Sequence, residues 1–342
     1  MTKRQVVIDA MRFRNVPYVP WAWHMTVDCA AKVQKHLGKA DLSDFLDTHF
    51  CNVGADIRPA QTIDSDHFRD IYGVVWDVSV DKDIGTPCDY PIRQKADLAG
   101  YKWPKIVDDG WRSDIVQNLA AGKDLFRRYN LGFSLFERAW TMMGMEHLLM
   151  AMVNDPQFVE ELLDAIVEHN LQQIRAALDF DIDCVHFGDD YGMQVGLITG
   201  LPHWRRFIKP RLERMFQPVR DAGRFVSMHS CGAVDVLFDD LVEIGLNCFN
   251  PFQPEVMDVF GLMKQYHGRL AFHGGMSIQK VLPFGTVAEV RDMTRRLLEA
   301  GRGGGYVFSP SHQVPRDVPP ENLVAMMEEV KAQKGWPGDG AC

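Results

Sequence analysis

The stretch Phe225 to Gly245, FVSMHSCGAVDVLFDDLVEIG, decides the reading of the fold. Residues 225–229 read as a strand, and residues 235–244 read as a helix that ends at Gly245. Between them, at the C-terminal end of the strand, lies His-Ser-Cys-Gly. The same unit recurs on both sides. Upstream, residues 184–188 (CVHFG) read as a strand and Pro202 opens the next helix, while residues 130–136 form an earlier strand. A helix over 146–153 stops at Asn154. Asp155 then has the character of an N-cap, with Pro156 at the first helical position, Glu160 and Glu161 in the first turns, and Phe158, Leu162, Ile166, Ile174 and Leu178 as an apolar stripe. Downstream, 247–250 and 270–273 are short strands. Thr286 with Glu289 makes a capping box, and Gly301 follows that helix as a C′ residue. Residues 305–309 are the last strand, and Pro319-Pro320 start a closing helix that ends near Gly335.

Alternation at this spacing predicts a parallel α/β sheet. Doubly wound and barrel folds both satisfy it, and two features favour a single (β/α)8 barrel. The unusual polar residues fall at the C-terminal ends of successive strands, where barrel enzymes place their chemistry. No G-x-G-x-x-G follows a first strand, and Gly303-Gly304-Gly305 precedes a strand, so it is a turn and not a phosphate cradle. Residues 1–342 are read as one domain. The first strand is Tyr18 to Trp23, and residues 38–128, rich in Pro and Asp with weak periodicity, are an irregular elaboration after it.

Composition is ordinary for a globular chain of 342 residues: 46% hydrophobic and 24% charged, long enough for a large core. The net charge of −9, without a basic block, excludes a nucleic-acid partner of the usual kind. No apolar run approaches the roughly 20 residues that span a bilayer. Cys29, Cys51, Cys88, Cys184, Cys231, Cys248 and Cys342 are scattered, odd in number and without a CxxC pair, and the N-terminus lacks a signal-peptide apolar region. Both observations predict a reducing cytoplasm with mostly buried thiols. The 17 methionines are read as core filling.

Chemistry concentrates at the strand ends. His229 and Cys231 lie two apart, so in extended chain they share a face and can converge on one point. Imidazole and thiolate together suit Zn²⁺, a borderline-soft ion. A third ligand would come from another strand end, and His312 in Ser309-Pro-Ser-His312 is placed for it. Its competing role is a substrate contact, with Glu137 or Asp190 completing the metal shell. In Gly188-Asp189-Asp190-Tyr191-Gly192 the two acids face roughly opposite ways, one toward the site and the other toward a loop or helix backbone. Such a carboxylate binds substrate, acts as general acid or base, or orients a metal ligand, and an Asp-rich turn gives the same pattern. Glu137 reads as a site acid or as a carboxylate favoured at a helix start. Trp21 and His24 after the first strand, Tyr191, Gln253 in Asn250-Pro-Phe-Gln-Pro254, and His273 in Phe272-His-Gly-Gly275 are the substrate-pocket candidates, with aromatic packing as the alternative for Trp21.

These runs, with Phe207-Ile-Lys-Pro-Arg211, Val281-Leu-Pro-Phe-Gly-Thr286 and Gly304-Gly-Tyr-Val-Phe-Ser-Pro-Ser-His312, resemble the uroporphyrinogen-decarboxylase-like superfamily in order and spacing from about residue 130 to 330. The segment up to Trp23 resembles the family's opening helix and strand. The resemblance implies a distorted (β/α)8 barrel and either a decarboxylase or a cobalamin-linked methyltransferase. The decarboxylase's Arg-rich motif (R-Q-A-G-R) is absent, and Arg12 and Arg14 do not reproduce it. A tetrapyrrole bearing many carboxylates needs such cationic anchors.

The methyltransferase branch holds zinc with a His-x-Cys pair and a distant Cys. His229 and Cys231 match the pair, and His312 stands near where the Cys is expected. The resemblance therefore implies a zinc-dependent methyltransferase acting on a methoxy compound, a methylamine or a thiol. The methyl carrier would be methylcobalamin on a separate corrinoid protein, since no D-x-H-x-x-G is present, or tetrahydrofolate. A decarboxylase of a small carboxylated substrate and a non-catalytic binding barrel are the alternatives, and a homodimer is left open.

Overall fold

The computed structural model describes residues 1–54, 59–80, 82 and 84–336. Its architecture is mixed α/β. Seven strands make up the large parallel sheet: β1 (Phe50–Val53), β2 (Phe126–Leu131), β3 (Cys184–Gly188), β4 (Phe225–His229), β5 (Cys248–Phe252), β6 (Ala271–Met276) and β7 (Tyr306–Pro310). The chain divides into two compact units. One comprises Met1–Cys51, Gly122–Arg127 and Asn247–Cys342, and the other comprises Asn52–Ala121 and Arg128–Leu246.

In the second unit β3 lies between β2 and β4, all parallel, with Asn130 opposite His186 and Ser227 opposite His186 on its other side. The helix Pro156–Ala177 packs against the helices Phe136–Met143, Met145–Asn154 and Lys209–Asp221 of the same unit. Asp155 accepts from the Phe158 amide and Pro156 follows it, while Phe158, Leu162, Ile166 and Ile174 are buried. Each such apolar side chain removed from water contributes roughly 1.5–3 kcal/mol. In the first unit β5, β6 and β7 are parallel neighbours, Cys248 opposite Ala271 and Phe272 opposite Tyr306. Thr286 and Glu289 form the expected capping box of the helix Val287–Gly301.

Four expectations need correction. Tyr18 to Trp23 is not a strand. Pro17 and Pro20 withhold amides from any ladder, and this segment makes one bridge, Trp21 with Phe308. The first regular parallel strand is Phe50–Val53, inside the region expected to be irregular. That region also holds a four-stranded antiparallel sheet in the second unit: Pro59–Thr62, His67–Asp70, Val75–Asp77 and Thr86–Asp89. The strand expected at 130–136 runs over Phe126–Leu131 instead, because the chain leaves the extended region at Phe133 (φ 48°). Gly301 is the last residue of its helix and not a C′ position; a Cβ there would meet Tyr306 at 2.4 Å.

Cys29, Cys184 and Cys248 are buried, Cys51 and Cys231 half-buried and Cys88 exposed, all as free thiols; Cys342 lies outside the described residues. Among the described residues no helix is long and apolar enough to cross a membrane.

Candidate functional site

His229 ends β4, and Cys231 follows on the same face. The Cys231 Sγ lies 3.4 Å from His229 Nε2. Two ligands on one tetrahedral zinc, with Zn–S about 2.3 Å and Zn–N about 2.0–2.1 Å, stand about 3.5 Å apart. The pair therefore fits a shared metal without rearrangement. Burial, and then the charges of Asp190 and Glu137, push the Cys231 thiol well above its usual range. Such a thiol stays protonated until a cation faces it, and a coordinating thiol is deprotonated outright.

The loop after β3 is strapped to this turn. The Asp189 amide donates to the His229 carbonyl at 3.0 Å, the Cys231 amide to Asp190 Oδ1 at 2.8 Å, and the Tyr191 amide to Ser230 Oγ at 3.0 Å. Gly192 and Gly232 complete it by backbone contact. Gly232 has φ 88°, and a Cβ on it would sit 2.3 Å from the Gly192 carbonyl carbon.

The two acids do different work. Asp190 is half-exposed, with Oδ1 3.6 Å from His229 Nε2, at the edge of the ligand pair. Asp189 is fully buried and accepts from the Phe136 amide (2.8 Å), the Glu137 amide (2.6 Å) and the Tyr191 hydroxyl (2.7 Å). It thus terminates the helix Phe136–Met143 and satisfies two of its open amides. Burial raises the Asp189 carboxyl while those three donors oppose the rise. Glu137 sits in that helix's first turn, close enough for its charge to act on Cys231.

Tyr191, expected at the substrate, is instead buried behind the site with its hydroxyl committed to Asp189 and its ring against Phe136 and Trp204.

Sequence reasoning passed over His186. It lies on β3 one residue pair before Gly188, on the face that His229 shares, and is 8% exposed. Its Nδ1 is 2.7 Å from Ser227 Oγ, and its ring meets that of His229 edge-on, centroids 6.5 Å apart at 83°. The signal was present in Cys184-Val-His186-Phe-Gly188, where alternation alone assigns residue 186 to the face of the strand-end glycine.

The remaining candidates lie in the first unit. His312 is half-buried, two residues beyond β7, after Ser311, whose amide donates to the Met276 carbonyl. His24 is exposed, and Gln253 is buried one residue beyond β5. His273 on β6 donates from Nε2 to the Ala22 carbonyl at 2.7 Å, so its Nδ1 accepts from Asn250 at 3.2 Å and the ring is a neutral strap. Trp21, expected in a pocket, has no exposed surface. Its Nε1 donates to the Leu46 carbonyl, and its ring packs 4.3 Å from His49 and 4.8 Å from Trp336.

Comparison with known proteins adds four findings. The family model "Uroporphyrinogen decarboxylase (URO-D)" matches residues 131–333. A uroporphyrinogen decarboxylase of Thermus thermophilus is 28% identical over 185 residues, 50% of this chain and 48% of that protein, so the match spans about half the length of that relative. One of Bacillus mycoides is 24% identical over 349 residues, 94% of each chain. Among solved structures, a methyltransferase from Methanosarcina mazei superposes with a TM-score of 0.72 over 97% of this chain and 98% of its own, at 13% identity. That likeness establishes a shared fold.

Proposed function

Because this chain belongs to the uroporphyrinogen decarboxylase family, we propose that it is a metal-dependent methyltransferase of that family. It would move a methyl group between a small methoxy compound or thiol and a carrier, either a corrinoid on a partner protein or tetrahydrofolate. The observation that carries the reading is the 3.4 Å approach of Cys231 Sγ to His229 Nε2, a separation that suits a shared zinc. His312, at the end of β7 as His229 is at the end of β4, supplies the third ligand and leaves a fourth position for substrate. A closed (β/α)8 barrel and a cytoplasmic location are part of the same reading.

When bound, zinc supplies the positive charge that keeps an acceptor thiol ionised or polarises an ether oxygen. The chain's own groups do the rest. Asp190 holds the Cys231 amide and borders His229, which fixes the turn that presents both donors. Asp189 anchors the start of the helix that carries Glu137. Glu137 is the group assigned to hold or move a proton, and His24 and Gln253 are the candidates for substrate contact.

The test is elemental analysis of the purified protein, followed by incubation with methylcobalamin and a thiol. Stoichiometric zinc that is lost in Cys231→Ser, with a visible spectral change as the cobalamin is demethylated, supports the reading. A metal-free protein that leaves methylcobalamin intact refutes it. A second reading, decarboxylation of a small carboxylated substrate, is favoured by the names of the Thermus and Bacillus relatives. Release of CO2 from such a substrate by the metal-free protein would select it.

A further inference from the structure

We propose that His186, aligned through Ser227, is a positioning residue for the His229 imidazole and so sets how tightly the metal is held. The inference rests on the metal reading above and extends it by one layer.

Three observations carry it. Register places His186 directly opposite Ser227 and places Gly188 opposite His229, so the two imidazoles sit one side-chain layer, about 6.6 Å of strand, apart on one face. No side chain intervenes at 188. The rings meet edge-on at 6.5 Å, which leaves His186 as a wall beside His229. Thirdly, the wall is fixed. Burial pushes the Cys184 thiol up to about 12, so it carries its proton and donates to Ser227 Oγ at 3.3 Å. The Ser227 hydroxyl and His186 Nδ1 are hydrogen-bonded at 2.7 Å, which holds the ring against rotation. Strand positions this deeply buried are ordinarily filled by apolar side chains such as Val, Ile and Leu. A Cys-Ser-His chain in their place costs desolvation, and a set orientation for a metal ligand is the return.

Cobalt(II) is the probe, titrated into the metal-free full-length protein in competition with a chelating dye. In the unaltered protein it should give a thiolate charge-transfer band that Cys231→Ser removes. His186→Leu should weaken cobalt binding about 10–100-fold, the range usual for outer-shell partners, and shift the visible ligand-field bands. Ser227→Ala should act in the same direction. The double variant should be no worse than His186→Leu alone, since both changes break one chain. His186→Asn, which keeps a hydrogen-bonding group for Ser227, should recover part of the affinity. Unchanged affinity and bands in His186→Leu overturn the inference and leave the metal reading intact. If that variant fails to fold, an unchanged Ser227→Ala overturns it equally. Absence of any Cys231-dependent band in the unaltered protein overturns the metal reading and this inference together.

Discussion

Asp189 Oδ1 accepts the backbone amide of Glu137 at 2.6 Å, joining residues 52 apart in sequence. The bond makes the end of β3 the starting block of the helix Phe136–Met143. It also separates two neighbouring acids by function, because Asp190 turns to the His229–Cys231 pair.

Asp189→Asn should therefore lower stability. The amide has one acceptor oxygen for three donors, and leaving a buried amide unsatisfied costs about 1–3 kcal/mol. Asp190→Asn should leave the urea midpoint near that of the parent but weaken metal binding about 10–100-fold, since it removes the carboxylate charge 3.6 Å from His229 Nε2. Equal unfolding curves for parent and Asp189→Asn would show that the cap is dispensable.

Cys231→Ser should abolish stoichiometric zinc, because the hydroxyl is not ionised by the metal as a thiol is. His312→Ala should lower metal affinity strongly if it ligates. Full zinc retention with an increased substrate requirement would assign His312 to the substrate instead. Elemental analysis and steady-state kinetics on both variants separate the cases.

Gly232→Ala should be destabilising by about 1–3 kcal/mol and reduce metal occupancy, since φ 88° is unfavourable for Ala and the added Cβ collides with the Gly192 backbone. A parental melting temperature with full zinc would show that the turn can relax.

Stability should fall in acid through His169. Burial, then the Arg138 charge, lowers this imidazole from its ordinary 6.5 to about 4. Between those values the unfolded chain takes up a proton that the folded chain refuses, so stability is lost as pH drops from about 6.5 toward 4, at up to roughly 1.4 kcal/mol per pH unit. His169→Gln should flatten the pH dependence of urea unfolding in that window by about one proton. An unaltered slope would assign the acid sensitivity elsewhere.

What the sequence made legible follows from the length and patterning of each element. β3 and β4 are short apolar strands bounded by polar turns, and both are found where the alternation puts them. β2 was displaced in the reading because Arg127 and Arg128 interrupt its apolar pattern, although Arg128 is buried and its Nε donates to Asn52. The antiparallel sheet of 59–89 escaped because its strands are three or four residues long, too short for a period to show. The pairing of His229 with Cys231 needed only the two-residue repeat of extended chain. The separate duties of Asp189 and Asp190 depend on where a distant helix begins, which no local pattern encodes.

The division of the chain into interleaved segments bears on how it is made. The unit built from Asn52–Ala121 and Arg128–Leu246 is complete once residue 246 has left the ribosome. Its companion must wait. Val19 exchanges hydrogen bonds with Gln333, and Lys32 bonds the carbonyls of Arg316 and Val318, so the first fifty residues emerge long before their partners exist. Loop closure over some 300 residues is slow to begin and exposes apolar surface while it is pending. Val6, Val7, Trp21 and Val33, all fully buried at the end, are among the apolar side chains that stay in water during that interval.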